Sequence, residues 1–412
     1  MILSVLKVFR AYTFQRSLTA VLLFSSVLLG ARTIDQVAYA QILQIMFLGK
    51  FLAIGNLGAA SGFFVSCYGK VGMLKTNNVA LELRYCLIML AQLLVIFVPV
   101  LLISVFIAPK YTLGIFIFIL LIPAYVIEPP SRLRRKFYVS LAPDILMSGA
   151  LLVVSIFAAI GLSTNFLTSP TIYVGIVGLL AIAFYTVIFF HLPTCFSFSI
   201  ETLRGSLKEY LKTVILGIPV YLGTALFMLA SGLDRLLMPI YIAAEGQALY
   251  FLSYQLATGA MIFLASTNFI NTVDLGEAHK SGSDLFIVEL QRKLKLSVGL
   301  AALSVFFLLI ASISLQRLLL PEYKDLVGVT VTLAVGLSAF FVAGSITPIL
   351  GYLRKQLALT IAMGLVVIVV LINNLVAIQI GLSIAWLSSI TAAAFVMYSL
   401  FAILYTFSTV RG

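Results

Sequence analysis

Apolar runs of helical length succeed one another along almost the whole chain, separated by short polar breaks. A helix needs about 20 apolar residues to cross about 30 Å of hydrocarbon. Runs of that order lie near residues 14–33, 36–67, 83–108, 110–128, 144–163 and 170–192, and again near 211–231, 247–272, 295–315, 324–350, 356–378 and 383–408. The runs lack the strict apolar and polar alternation of a membrane barrel strand, and a backbone in lipid must satisfy its own polar groups, so each run is expected to be a helix. The expected fold is an all-α polytopic membrane protein of about twelve transmembrane helices. The break at 193–210 divides them six and six, giving lobes at 1–192 and 211–412 joined by a cytoplasmic linker. Each lobe opens with a long helix, a short outer loop and an aromatic start to the next helix, at Arg32–Tyr39 and at Asp234–Tyr250. Such an internal echo is a feature of transporters built from repeated bundles.

Composition agrees with the pattern: 62% of the 412 residues are hydrophobic and only 10% charged, with mean hydropathy +1.17. The net charge of +12 would suggest nucleic acid in a soluble chain, but its distribution gives a different meaning. Of the 26 Lys and Arg, twenty fall at the termini and on alternate loops, five (Arg32, Lys110, Arg235, Arg317, Lys324) on the other side, and Lys50 lies within a span. This is a positive-inside bias, so both termini are expected in the cytoplasm and no nucleic-acid partner is expected. The first apolar run is of full spanning length with no small-residue cleavage site after it, which reads as a first helix and not as a cleaved signal. Cys67, Cys86 and Cys195 show no metal-ligand spacing and read as reduced packing residues.

Little in the sequence supports catalysis. There are two His, no His/Cys cluster, no phosphate-cradling glycine run and no nucleophile elbow, so no catalytic residue, metal or cofactor is assigned. Charges inside hydrocarbon are the informative residues, because a Lys or Arg at a helix centre costs about 2.5 to 3.5 kcal/mol on insertion scales and usually faces a cavity. Lys50 is the clearest, set among Phe47, Leu48, Phe51 and Leu52 in a long span with Gly55, Gly58 and Gly62 as places to tilt or break. Its alternative is a lysine snorkelling to an interface or neutralised by a carboxylate. Asp234 and Arg235, being adjacent, point to different faces of the seventh helix, so that one can face a cavity while the other pairs with a neighbouring helix. Arg32 and Asp35 hold the matching place in the first half. Arg16 and Arg84, near inner helix ends, suit anionic lipid headgroups. Glu128 and Asp144 bracket the basic stretch 132–136 and read as local salt-bridge partners. Gln92, Asn373 and Asn374 read as interhelical glue. Pro99, Pro123, Pro219, Pro239 and Pro348 mark helices that can bend.

Three stretches resemble the polysaccharide-transport branch of the multidrug/oligosaccharidyl-lipid/polysaccharide flippase superfamily, the Wzx-like O-antigen flippases. They are LGARTIDQVAYAQILQIM with IGNLGAASGF (29–63), LDRLLMPIYIAAEGQALYFLSYQLATG (233–259), and LLLPEYKDL (318–326) with LRKQLALTIAMGLVVIVVLINNLVAIQIGL (353–382). The chain departs from that pattern where Ala38 and Ala248 stand for a glycine ahead of Tyr39 and Tyr250. The resemblance implies a V-shaped, two-lobed flippase of the bacterial inner membrane. It would move an undecaprenyl-diphosphate-linked oligosaccharide, an O-antigen or other surface polysaccharide repeat unit, between leaflets by alternating access. Lys50, Arg32, Arg235 and Arg16 become the candidate cations for its phosphates, and Asp234 and Asp35 the candidates for coupling or gating. The implied partners are that lipid-linked oligosaccharide, membrane lipids, a coupling ion (H+ or Na+) and polysaccharide polymerase machinery. A multidrug or other small-molecule exporter of the same superfamily is the nearest alternative, and a membrane-embedded glycosyltransferase or polymerase a more distant one.

Overall fold

The structure is a computed structural model that describes residues 2–68, 79–133, 141–160, 169–190, 200–262, 264–265, 267–268, 275, 283–353 and 355–411. Among these residues every regular element is helical. Ten helices among the described residues are long and apolar enough to cross a membrane, which makes this a multi-pass membrane protein. The remaining two expected spans coincide with the apolar part of the first helix, Ser17–Thr33, and with the helix Ala244–Ala260.

The chain forms two compact units, Thr33–Ala225, and Met1–Arg32 together with Leu226–Gly412. The first unit contains α2 (Gln36–Phe51), α3 (Ala59–Tyr68), α4 (Val79–Ile107), α5 (Pro109–Leu133), α6 (Ala142–Ala159), α7 (Pro170–Phe190) and the first part of α8 (Ile200–Leu237). The second contains α1 (Ile2–Thr33) up to Arg32, the end of α8, α9 (Ala244–Ala260), α10 (Ser283–Leu318), α11 (Leu326–Gly344), α12 (Ile349–Tyr352), α13 (Leu357–Ile380) and α14 (Ile384–Arg411). The expected linker is therefore helical from Ile200 onward, because α8 starts there and runs unbroken through Pro219 to Leu237.

Large apolar side chains face outward in quantity. Phe106 is 87% exposed and Val95 74%, and α4 presents most of its apolar surface to its surroundings, whereas α2, α6 and α11 are largely covered by neighbouring helices. Apolar surface on this scale in water would drive aggregation; around a membrane protein it is the face that meets lipid. Since lipid is as apolar as the core, helix association here depends on close packing and polar contacts more than on apolar burial.

The Thr33–Ala225 unit shows both. The second span is not one helix: α2 ends at Phe51, a 3-10 turn covers Leu52–Asn56, and Leu57 takes a left-handed conformation (φ 50°). Gly58 follows at φ 91°, a region open to glycine at little cost. The backbone groups released by the break are used. Tyr221 Oη donates to the Ile54 carbonyl at 2.7 Å, Gln92 Nε2 donates to the Gly55 carbonyl at 3.1 Å, and Tyr210 Oη donates to Gln92 Oε1 at 2.8 Å. Asn56 Oδ1 accepts from the Gly58 amide at 2.9 Å. Beyond the break Gly62 and Gly217 let α3 and α8 touch backbone to backbone; a Cβ on Gly62 would overlap the Thr213 carbonyl oxygen. Phe63, Tyr85 and Tyr210 pack as tilted rings beside this crossing, and Met89, Leu93, Phe97, Phe118 and Ile122 belong to the same buried cluster.

In the other unit α11 and α14 meet at Gly336, where a Cβ would collide with Ala392. Phe227 stacks on Phe340 with ring centroids 4.0 Å apart, and Phe395 packs at the edge of both. A separate buried cluster in that unit comprises Leu275, Phe286, Leu290, Ile346, Ile349 and Leu350.

Candidate functional site

Two polar constellations stand out among the described residues, one in each unit. The first is built around Asp234, which is fully buried near the end of α8. Thr391 Oγ1 on α14 donates to its Oδ2 at 2.8 Å, as does Tyr250 Oη on α9. Asn374 Nδ2 on α13 donates to its Oδ1 at 2.6 Å. Asn374 is itself oriented, since its Oδ1 accepts from Tyr241 Oη at 2.6 Å and its Nδ2 also reaches the Val370 carbonyl at 2.8 Å. Thus three helices each bring a neutral donor to one carboxylate. Stripping a carboxylate of water costs several kcal/mol unless such donors replace the lost hydration, and hydrogen bonds to an ionised acceptor are about twice as strong as neutral ones.

Arg235, the next residue, turns elsewhere as adjacent helical positions must. Its guanidinium carbon lies 3.7 Å from the centre of the Tyr254 ring, and Nη2 donates to the Ser231 carbonyl one turn back at 2.9 Å. It is 7% exposed and lies in the last turn of α8, where a cation is favoured by the helix dipole. Tyr250 and Tyr254 are four apart on α9 and share a face, so one face of α9 receives both charges, the first through a hydroxyl and the second through a ring.

The second constellation centres on Lys50. Its Nζ lies 2.7 Å from Asp144 Oδ1, with the two side chains 32% and 41% exposed. Lys50 sits in the last turn of α2 and Asp144 in the first turn of α6. The surrounding backbone is pinned. Tyr125 Oη donates to the Gly49 carbonyl at 3.1 Å, Gly114 admits Leu48 where a Cβ would clash, and Gly49 lies against Ile117 and Met147.

The remaining candidates are more dispersed. Asp35 caps α2, its carboxylate accepting from the Val37 amide at 3.0 Å and the Ala38 amide at 3.3 Å, and Arg32, nearby in sequence, is exposed. The side chains of Arg16 and Arg84, the residues 134–136 of the basic stretch, and the side chains of Cys67 and Cys195 lie outside the described residues. Cys86 donates to the Val126 carbonyl at 3.6 Å. Gln92 and Asn374 both bond between helices, as polar glue should. Sequence reasoning did not name Asp144 as the partner of Lys50 and left Thr391, Tyr241 and Tyr254 unremarked. Hydroxyls in apolar runs are the only linear hint to such partners, and a weak one. No group of three or more His, Cys, Asp and Glu suited to a metal occurs among the described residues.

At the level of sequence, no protein-family model and no curated protein matches the chain. Solved structures do match its fold. The lipid II flippase MurJ in an inward closed conformation aligns with a TM-score of 0.66 at 14% identity, covering 98% of this chain and 87% of that one. A MOP superfamily transporter from Pyrococcus furiosus, described by the reverse polarity of its binding pocket, gives 0.60 at 16% identity, covering 98% and 96%. A multidrug resistance MATE family transporter of the MOP superfamily, inward-facing, gives 0.57 at 14% identity, covering 95% and 94%. The chain has the fold of these transporters. The likeness runs over the full length, so α8 with Asp234 and α2 with Lys50 belong to the shared architecture and are not appendages to it.

Proposed function

We propose that the protein is a flippase that moves an undecaprenyl-diphosphate-linked oligosaccharide, an O-antigen or other surface polysaccharide repeat unit, across the bacterial inner membrane by alternating access. The observation that carries this reading is the full-length likeness to a lipid II flippase. A diphosphate and a sugar headgroup cannot cross hydrocarbon unaided, so such a protein needs cations held at membrane depth and a hydrated route. Lys50 and Arg235 are the proposed cations of that kind: Lys50 lies in an ion pair with Asp144, and Arg235 lies over the Tyr254 ring. Arg32 and Arg16 complete the proposed phosphate-attracting set. In this reading the two six-helix lobes are 1–192 and 211–412, joined at 193–210, with both termini in the cytoplasm. Asp234 is the proposed coupling residue, because a carboxylate ringed by neutral donors from three helices can exchange those donors for a proton or a sodium ion and so link ion occupancy to helix packing.

Expression in a cell lacking its own repeat-unit flippase tests the reading. Surface glycan should be restored by the wild-type chain and lost with Lys50→Ala at unchanged membrane abundance. The second reading, a multidrug exporter, is favoured by the likeness to MATE family transporters. It predicts raised resistance to cationic drugs with no glycan at the surface, and that result would displace the flippase assignment.

A further inference from the structure

We propose that Asp144 is a built-in counter-anion which occupies Lys50 when no substrate is bound and is exchanged for a phosphate of the cargo. The proposal rests on the reading of Lys50 as a substrate cation and adds the group that controls it. Three observations support it. The contact is a full ion pair at 2.7 Å, yet the two side chains are 32% and 41% exposed, so protein does not wall the lysine in. The backbone beneath Lys50 is held by Tyr125 on the Gly49 carbonyl and by the Gly114 and Gly49 contacts, so the lysine side chain can turn while its helix stays in place. And the cation is lysine, a compact point charge on a flexible stem that carries no fixed planar fork and can follow either anion.

The chemistry of transport gives the exchange a purpose. A cation alone in a low-dielectric cleft would hold a diphosphate too tightly to release it. A carboxylate within reach keeps the lysine compensated in the empty state, weakens phosphate binding by the strength of the pair, and recaptures the lysine as the phosphate leaves. Asp144 is therefore a positioning residue acting through Lys50. No bond is made or broken, and the exchange is of one oxyanion for another.

The test is binding of inorganic pyrophosphate to the full chain in nanodiscs of zwitterionic phospholipid. A half-exposed pair is worth up to about 1 kcal/mol, so Asp144→Asn should tighten the Kd about fivefold. Lys50→Gln should weaken it at least tenfold, and the double variant should match Lys50→Gln. Should Asp144→Asn disrupt folding, the wild type still reports: labelling of Asp144 by a carboxyl-directed diazo reagent, read by mass spectrometry, should rise as pyrophosphate saturates. Loss of binding in Lys50→Gln without tightening in Asp144→Asn and without increased labelling would overturn the exchange and leave Lys50 as a plain substrate cation. Equal binding by Lys50→Gln and wild type, or binding by neither wild type nor Asp144→Asn, would overturn both readings. Geranyl diphosphate should displace pyrophosphate and phosphatidylglycerol should not; displacement by phosphatidylglycerol equal to that by geranyl diphosphate would overturn the assignment to cargo in favour of a membrane headgroup.

Discussion

Asp234 and Lys50 are both charges inside membrane-spanning helices, and the protein treats them in opposite ways. Asp234 is fully buried and held by Tyr250, Asn374 and Thr391. Lys50 stays partly exposed and is held by one carboxylate. The first arrangement replaces water with three neutral donors from three helices, so the charge and the helix packing depend on each other. The second compensates charge with charge at one point, and the helices beneath are held by other contacts. A site of the first kind can report on the packing of a bundle. A site of the second kind can change partners while the bundle stays as it is.

The largest effect should come from removing the acceptor at the first site. Asp234→Ala leaves three donors without their shared partner in a sealed interior, and an unsatisfied buried donor costs about 1 to 3 kcal/mol. Thermal unfolding in detergent should show a destabilisation of about 3 kcal/mol or more, with reduced abundance in the membrane, while Asp234→Asn, which keeps an acceptor oxygen, should recover part of the loss. Unfolding of Asp234→Ala indistinguishable from wild type would mean that the ring of donors does not hold the helices, and the contrast between the two sites would collapse.

Tyr254 sharpens the same contrast from the neighbouring residue. Arg235 lies over its ring, and a desolvated cation–π contact is worth up to about 2 kcal/mol. Tyr254→Leu keeps apolar bulk and removes the ring, so it should cost about 1 to 2 kcal/mol in thermal unfolding, less than Asp234→Ala. Because Arg235 also donates to the Ser231 carbonyl, the guanidinium keeps one anchor and the loss should be partial.

These two sites also mark how far the sequence could be read. The helical bundle follows from the length of the apolar runs, which lipid imposes directly, and the break in the second span follows from Gly55, Gly58 and Gly62. The divergence of Asp234 from Arg235 follows from helical periodicity, since neighbouring positions cannot share a face. The partners do not follow. Asn374 and Thr391 lie 140 and 157 residues from Asp234, and a hydroxyl in an apolar run looks the same whether it bonds to its own helix or to a distant carboxylate. Ser312, for instance, donates to Leu309 on its own helix. Asp144 is similar: the order of the chain sets it beside the basic stretch 132–136, and nothing in the linear pattern names Lys50 as a partner, because sequence distance is a poor guide once helices pack. The 3-10 turn is signalled only by its glycines, and the Gly62 to Gly217 crossing not at all, because close approach is a property of two segments together.

The smallest effect on stability should come from the second site, and its smallness is the informative result. Lys50→Gln removes a pair whose members are both partly in contact with the surroundings, and such pairs contribute about 0 to 1 kcal/mol because solvent screens them and two long side chains lose freedom in making them. The Asp144 carboxylate left behind is 41% exposed, so it is not enclosed by protein. The nearby packing of Gly49 against Ile117 and Met147, and the bond from Tyr125, do not involve the lysine side chain. Thermal unfolding of Lys50→Gln should therefore lie within about 1 kcal/mol of wild type while transport of a phosphate-bearing cargo fails. A destabilisation matching that of Asp234→Ala would show that the pair is a structural tie of the first kind, and a lysine committed to holding helices together would not be released to a substrate.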